Sequence, residues 1–299
     1  MEPPHLTAFV AVVDIGSFTR AAARLRISQP TVTARVKALE HHLGSQLLER
    51  LPTGPRVTAA GAALLPYARE IIALTERARA AVAAGGEPHG HVDVGTVESL
   101  TSYRLLPMIE HIYLRYPKVQ ISLHSSACGE TITRVREGRL DCAFFVDAVG
   151  GREDLETRIL CPEPLVLVAD QDHPLVHARE VGVDDLVHAT LIRADSGADY
   201  HLEFERLIGL DVAVDRPRVF ELDSIDAAKR SAAAGLGMAL LPTVAVADEL
   251  ARGELHRIPW RPPFEVCTQV AWRRVGTGHP AVTALVETAT KVIAEQGAE

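Results

Sequence analysis

A chain of 299 residues is longer than one ordinary hydrophobic core requires and suits two or three domains. An apolar content of 47% is that of a globular protein, and a net charge of −8 argues against a surface that binds nucleic acid throughout. The charge is uneven, however: residues 1–60 hold seven Lys and Arg against four acids, a net +3, which leaves −11 for the remainder. A basic N-terminal module on an acidic body fits a partner bound at one end. The four cysteines (Cys128, Cys142, Cys161, Cys267) stand far apart with no CxxC, so metal-ligand spacing is absent, and the size of the chain argues against a secreted disulfide framework. No signal-peptide pattern opens the sequence, and the most apolar window, Ala232–Ala247, is broken by Pro242 and too short to span a bilayer. The expectation is a cytosolic protein with no membrane partner.

Leu6, Phe9, Val10 and Val13 recur at helical spacing, giving a first helix from about Pro4 to Asp14 that Gly16 ends. Ser17 or Thr19 caps a second helix with Phe18, Ala21, Ala22 and Leu25 on its buried stripe. Ser28 then N-caps a third, with Pro30 in the first turn, where its missing N–H costs nothing. Val32, Val36, Leu39 and Leu43 face inward, which leaves Gln29, Thr31, Thr33 and Arg35 outside. Gln bonds adenine in bidentate fashion, Thr touches a thymine methyl, and Arg reads guanine or holds phosphate. Residues 47–58, with Pro52, Gly54 and Pro55 between two extended pieces, read as a β-hairpin wing whose Arg50 and Arg56 lie against phosphates. Together these are a winged helix-turn-helix over 1–58. Its expected DNA surface comprises Ser17, Thr19, Ser28, Gln29, Pro30, Thr31, Thr33, Arg35, Lys37, Arg50 and Arg56, with double-stranded DNA as the partner.

Residues 59–86 are a long helix and its end. Leu64, Ala68, Ile71, Thr75, Ala78 and Val82 form a heptad seam, for which the simplest partner is a second copy of the chain. Gly85–Gly90 breaks the helix as a hinge. Beyond it, short strands alternate with helices: strands at about 92–97, 119–124 and 140–146, helices at 105–115 and 129–137. A further strand at 165–169 and a second set over 189–241 follow, then a strand within 264–272 and a helix opened by Pro280. The β-α-β-α-β order favours parallel sheets flanked by helices. Two α/β lobes result, about 91–163 with 267–299 and about 164–266, joined by crossings near 161–164 and 262–266, with the ligand between them at the carboxyl ends of the strands.

At this point the sequence resembles the LysR-type transcriptional regulators. The resemblance is carried by residues 8–44 (A-F-V-A-V-V-D-I-G-S-F-T-R-A-A-A-R-L-R-I-S-Q-P-T-V-T-A-R-V-K-A-L-E-H-H-L-G) and 57–69. Weaker motifs follow in the right order: L-L-P (105–107), R-Y-P-K-V-Q-I (115–121), E-G-R-L-D (137–141), E-P-L-V-L-V (163–168), D-H-P-L (172–175) and A-A-G-L-G-M-A-L-L-P (233–242). The resemblance implies a fold that is α/β, with an N-terminal all-α winged helix-turn-helix and an effector domain (91–299) of two lobes like type II periplasmic binding proteins. It also implies dimerisation through the linker helix, commonly tetramers, and a small-molecule effector that alters DNA contacts. Three positions depart from the family pattern. Ala34 stands where many members carry Arg, the next residue being Arg35; Leu48 replaces a Phe; and Ala127–Cys128 replaces a Gly-Ser/Thr pair.

By the same resemblance the effector cleft is lined by Val97, Glu98, Ser99, Cys128, Phe145, Asp147, Ser196, Gly197, Asp223 and Ser224. Ser hydroxyls and helix N-termini there hold an anionic or polar ligand; if Glu98 and Asp147 both face the cleft, a ligand with a cationic group fits instead. Cys128 either shapes the pocket or, as a low-pKa thiol, senses oxidants. Peroxide-sensing relatives use a cysteine pair in the stretch matching 194–210, and this chain has none there. No GxSxG, HExxH or GxxxxGK[ST] is present, so no enzyme, metal or cofactor is expected beyond the unidentified effector. The alternatives are a solute-binding or enzyme domain on the same two-lobe fold with an appended DNA-binding module, and an architectural DNA binder with an unoccupied cleft.

Overall fold

A computed structural model describes residues 2–52, 54–82, 87–150, 152, 154–194, 199–209, 218–274 and 280–297, and the side chains among them except those of 50, 76, 77 and 79–82. The chain forms two compact units, one built mainly of residues 1–86 and the other mainly of 87–299.

In the first unit, α1 (Pro3–Ile15) begins with two prolines where no N–H is needed and ends at Gly16, whose φ of 65° closes the C-cap. The Ser17 hydroxyl accepts from the Arg20 N–H to open α2 (Phe18–Leu25). The Ser28 hydroxyl accepts from the Thr31 N–H at 3.2 Å to open α3 (Gln29–Leu43). Leu6, Phe9, Val12, Ala21, Ala22, Val32, Val36 and Leu39 fill the core that these three helices share. Strands β1 (Leu48–Leu51) and β2 (Gly54–Val57) pair antiparallel as the expected wing. The wing is tethered to α3 by the Glu40 carboxylate, which accepts from the Leu47 and Leu48 N–H groups at 2.9 and 3.1 Å.

Thr58 caps α4 (Ala59–Val82), donating to the Gln46 carbonyl and accepting from the Gly61 N–H. Gly61 is required here, since a Cβ would meet the Leu47 carbonyl oxygen at 2.3 Å. The structure corrects the reading of the heptad seam. Ala68 is fully buried, and Leu64, Leu65, Ile71 and Ile72 pack with it on the core of the same unit, while Arg69 is buried in an ion pair with Asp14 of α1. The front half of the seam is therefore covered by α1, not by a second copy. Among the described side chains of α4, the large apolar ones that are exposed are Tyr67 and Leu74, seven positions apart. The side chain of Val82 lies outside the described set, as do residues 83–86 of the expected linker and hinge.

The second unit holds β3 (Gly90–Thr96), α5 (Glu98–Tyr103), α6 (Leu105–Arg115), β4 (Val119–Ser125), α7 (Cys128–Arg136), β5 (Cys142–Asp147), β6 (Leu155–Pro162) and β7 (Leu165–Ala169). After a 3-10 turn at Pro174–His177 come α8 (Val183–Leu186), β8 (Leu191–Arg193), α9 (Tyr200–Leu207), β9 (Val219–Glu221), α10 (Ile225–Ala233), β10 (Met238–Pro242), α11 (Thr243–Arg252), β11 (His256–Arg257), β12 (Cys267–Arg273) and α12 (Pro280–Gln296). One five-stranded sheet runs β4-β3-β5-β12-β6 and the other β11-β7-β10-β8-β9. These are two α/β lobes, but the sheets are mixed rather than parallel. Strands β3, β4 and β5 are mutually parallel, as are β8, β9 and β10, whereas β12 runs antiparallel to β5 and β6, and β7 to β10 and β11. The antiparallel members border the two crossings, where the chain enters one lobe from the other. Both crossings are fastened internally. Glu163, 2% exposed, receives the Arg104 guanidinium in a bidentate pair at 2.9 and 3.0 Å and the Thr268 hydroxyl at 2.7 Å, and its N–H donates to the Val266 carbonyl.

Candidate functional site

Two places gather the expected site residues. On α3, Val32, Val36 and Leu39 turn inward and fix the outward side, whereas Leu43, expected to face inward with them, is 38% exposed at the end of the helix. Pro30, Ala34, Lys37 and His41 are exposed along the outward side, flanked by Gln29 and the half-buried Thr33 and Arg35. Gln29 Nε2 donates to Thr33 Oγ1 at 3.0 Å, and the Ser28 and Thr31 hydroxyls bond each other at 2.7 Å, which orders the helix's first turn. Ala34 occupies the centre of the outward face, and Arg35 lies to its side. Thr19 is exposed, whereas Ser17 is engaged as a cap. On the wing, Arg56 stands opposite Glu49 and is bonded to it at 2.6 and 3.0 Å. The side chain of Arg50 lies outside the described set.

The second place is the crevice between the lobes, at the carboxyl ends of β3, β4 and β5 on one side and of β8 and β9 on the other. Val97 is placed differently from expectation: its side chain packs in the hydrophobic core, and it serves as the residue preceding α5. Ser99 is buried, and Asp223 is exposed. Ser196 and Gly197 lie outside the described residues. The remaining residues fall into two clusters.

In the first cluster Cys128 opens α7 while Phe145 and Asp147 end β5. Arg152, which sequence reasoning missed, joins them: its Nη2 donates to Asp147 Oδ2 at 2.8 Å, lies 4.0 Å from Cys128 Sγ, and its guanidinium carbon sits 4.9 Å from the Phe145 ring centre. Gln269 holds the loop after β5 by donating to the Asp147 and Ala148 carbonyls, each at 3.0 Å. The Cys128 thiol faces the Asp199 carboxylate of the opposite lobe. Burial and then that carboxylate push its pKa up, so Cys128 stays protonated and carries none of the thiolate character an oxidant sensor needs. Burial likewise pushes the Asp147 pKa up, with Asp199 adding to the shift.

In the second cluster the lobes are bonded directly. Ser224 precedes α10 but makes no side-chain cap; Glu98 of α5 supplies it, its Oε2 accepting from the Ile225 N–H at 3.1 Å. One turn along each helix, Lys229 Nζ donates to the Tyr103 hydroxyl and the Ala245 carbonyl, both at 3.0 Å, and pairs with Glu249 at 2.8 Å. Tyr103 packs on the core of the second lobe. The missed partners Arg152, Asp199 and Lys229 gave no sequence signal, because each meets its site through the fold rather than through a repeat.

A separate cavity of about 950 Å³ opens beside the crossings, lined by Pro164, Arg257, Trp260, Arg261, Phe264 and Glu265 among others. None of the ten expected effector residues lines it. Its one buried charged residue, Glu163, is already held by Arg104 and Thr268.

Comparison with known proteins agrees with this division. Residues 4–62 match the family described as bacterial regulatory helix-turn-helix protein, lysR family, and residues 85–294 match the family described as LysR substrate binding domain. The chain is 32% identical to an uncharacterized HTH-type transcriptional regulator, YwqM of Bacillus subtilis, over 92% of its own length and 93% of that protein's. It is 28% identical to a hydrogen peroxide-inducible genes activator of Dickeya chrysanthemi, covering 86% of this chain and 84% of that one. Among solved structures, a full-length OxyR variant from Pseudomonas aeruginosa superposes with a TM-score of 0.79 at 23% identity, over 98% of this chain and 95% of that one. ArgP from Mycobacterium tuberculosis gives 0.69 at 21%, over 98% and 97%. With a DNA-binding module and a two-lobed domain both matched in order along one chain, this protein belongs to the LysR family of transcriptional regulators.

Proposed function

We propose that α3 enters the major groove of a specific promoter site and that a small molecule held between the lobes alters that binding. The observation that carries the reading is the split of α3 into an inward stripe of buried Val32, Val36 and Leu39 and an outward, mainly polar side. That split presents Gln29, Thr33 and Lys37 in a rigid, doubly capped helix. Gln29 and Thr33 supply base-edge contacts, Lys37 and the wing arginines phosphate contacts. One such module reads too few base pairs for a promoter, and the exposed Tyr67 and Leu74 of α4 support pairing through that helix, with two dimers forming a tetramer.

The effector acts by changing how the lobes meet at Glu98–Ile225 and Tyr103–Lys229, which biases the geometry of the paired DNA-binding modules. The buried, protonated Cys128 and the cysteine-free stretch 194–210 support a bound effector rather than thiol oxidation as the input.

The test is footprinting on the DNA upstream of the protein's own gene and its neighbour, with wild type and Gln29→Ala/Arg35→Ala. A protected site with partial dyad symmetry that the double variant loses, while its thermal unfolding is unchanged, is the expected result. Footprints and bends that never differ between extracts with and without metabolites would sink the effector half of the reading. A double variant that retains full promoter binding would favour a two-lobed solute-binding or enzyme protein with an appended module.

A further inference from the structure

The cavity of about 950 Å³ beside the crossings is separate from the crevice between the lobes, and its volume is that of a small-molecule site. Four prolines in its lining, Pro162, Pro164, Pro259 and Pro262, restrict the backbone around it. Main-chain bonds fasten the same segments. The Thr243 N–H donates to the Pro164 carbonyl at 2.7 Å, and the Glu163 N–H to the Val266 carbonyl and the Ile258 N–H to the Leu167 carbonyl, each at 2.9 Å. A pocket held open in this way needs little ordering when it is filled.

The lining offers donors without acceptors. Trp260 is 9% exposed, packs its ring on Phe204 of α9 with centres 5.3 Å apart, and lines the cavity. Its indole N–H, which can only donate, has no acceptor among the described residues. A donor in so buried a side chain is satisfied when a ligand brings an acceptor. Arg257 and Arg261 line the same cavity, and neither guanidinium is bonded to an acceptor among the described residues. Arg152 of the crevice and Arg104 of the crossings differ in this respect, being held by Asp147 and Glu163. Of the two carboxylates in the lining, Glu163 is taken by Arg104 and Thr268, which leaves Glu265 against two guanidinium groups.

We propose that this cavity is a second small-molecule site, for a carboxylate or similar oxyanion on a flat apolar body. The body lies against Trp260 and Phe264, while the indole N–H and the two arginines receive the oxygens. Pro164 of one crossing and Pro262 of the other both stand in the walls, so an occupant touches both connections between the lobes without entering the crevice. The site stands whether or not the crevice holds an effector.

The experiment uses the full-length protein labelled with 5-fluorotryptophan. Trp260 and Trp272 are its two tryptophans, and Trp272 does not line the cavity, so Trp272→Phe assigns the two fluorine resonances. The probes are 3-phenylpropionate, 3-phenylpropylamine and 3-phenylpropanol, which carry an anion, a cation and no charge on one body. The expected result is that the propionate moves the Trp260 resonance at lower concentration than the other two and leaves that of Trp272 in place. Its affinity should fall about tenfold in Arg257→Gln/Arg261→Gln and hold or rise in Glu265→Gln. All three substituted residues are exposed, thermal melts confirm that the variants fold, and the comparison of probes on wild type depends on no variant. A preference for the amine, equal binding of all three probes, or full affinity in the arginine double variant would overturn the assignment of an anion. No movement of the Trp260 resonance at millimolar concentrations of any probe would overturn the site itself and leave the reading of the crevice standing.

Discussion

The outward face of α3 and the cleft between the lobes are both polar, yet they solve opposite problems. On α3 the polar groups stand in solvent, linked only to near neighbours such as Gln29 to Thr33, and wait for a partner that supplies the complementary charge. In the cleft the groups are half-buried and already committed across long distances in sequence; Glu98 and the Ile225 N–H it caps are 127 residues apart. A surface reader can therefore change residue by residue at little cost to the fold, whereas a change in the cleft or its crossings is also a change in stability.

The sharpest way to break that contrast is at the crossings. Glu163→Ala leaves the Arg104 guanidinium buried without its counter-ion, and the expected loss is about 3–5 kcal/mol of unfolding free energy. Gln29→Ala should stay within about 0.5 kcal/mol of wild type in the same urea titration. Equal effects from the two would remove the distinction.

The next largest effect is a pH dependence confined to the two-lobed unit. His201 is 3% exposed in α9, and burial, followed by the nearby Arg193, lowers its pKa from 6.5 to about 3. The unfolded chain takes up this proton below pH 6.5 and the folded one does not until about pH 3. The stability His201 contributes is thus complete above pH 6.5 and declines as pH falls through that window, by about 1.4 kcal/mol per pH unit. Urea unfolding between pH 7 and pH 5 should show this slope, and His201→Gln should flatten it.

On the DNA side the effects are smaller and fall on affinity. Gln29→Ala is expected to cost about 1–3 kcal/mol at the specific site, with little change on random duplex. Lys37→Ala is expected to weaken both equally and to lower the salt dependence by about one unit of slope. Anisotropy titrations at several salt concentrations separate the two. A Lys37 variant that loses only specific affinity would make it a base reader instead.

The same contrast explains what could be read from the sequence. The caps and bounds of helix α3 were legible because cap, proline position, apolar spacing and terminal glycine are all local, while Leu43, which the spacing turned inward, is exposed in the last turn. The heptad seam was legible as a periodicity, but spacing shows which face of a helix is covered and not by what: the front half, Leu64, Ala68 and Ile71, packs within its own unit. Strand β6 and helix α5 gave no clear signal. β6 (L-E-T-R-I-L-C-P) mixes exposed and buried positions out of alternation, and α5 is six residues long. The mixed sheets follow from the crossings, which no window of sequence contains. In the cleft, Cys128, Phe145, Asp147 and Glu98 were named by resemblance, while Arg152, which bonds Asp147, has no motif to announce it.

Glu49 already neutralises Arg56, so under the proposed DNA contact this arginine would meet a phosphate carrying its own counter-ion, and the carboxylate would be given back to solvent and salt as the phosphate is gained. Under that contact Arg56 would release fewer ions than an unpaired arginine. Glu49→Gln should raise affinity for specific and random duplex alike and steepen the salt dependence of both.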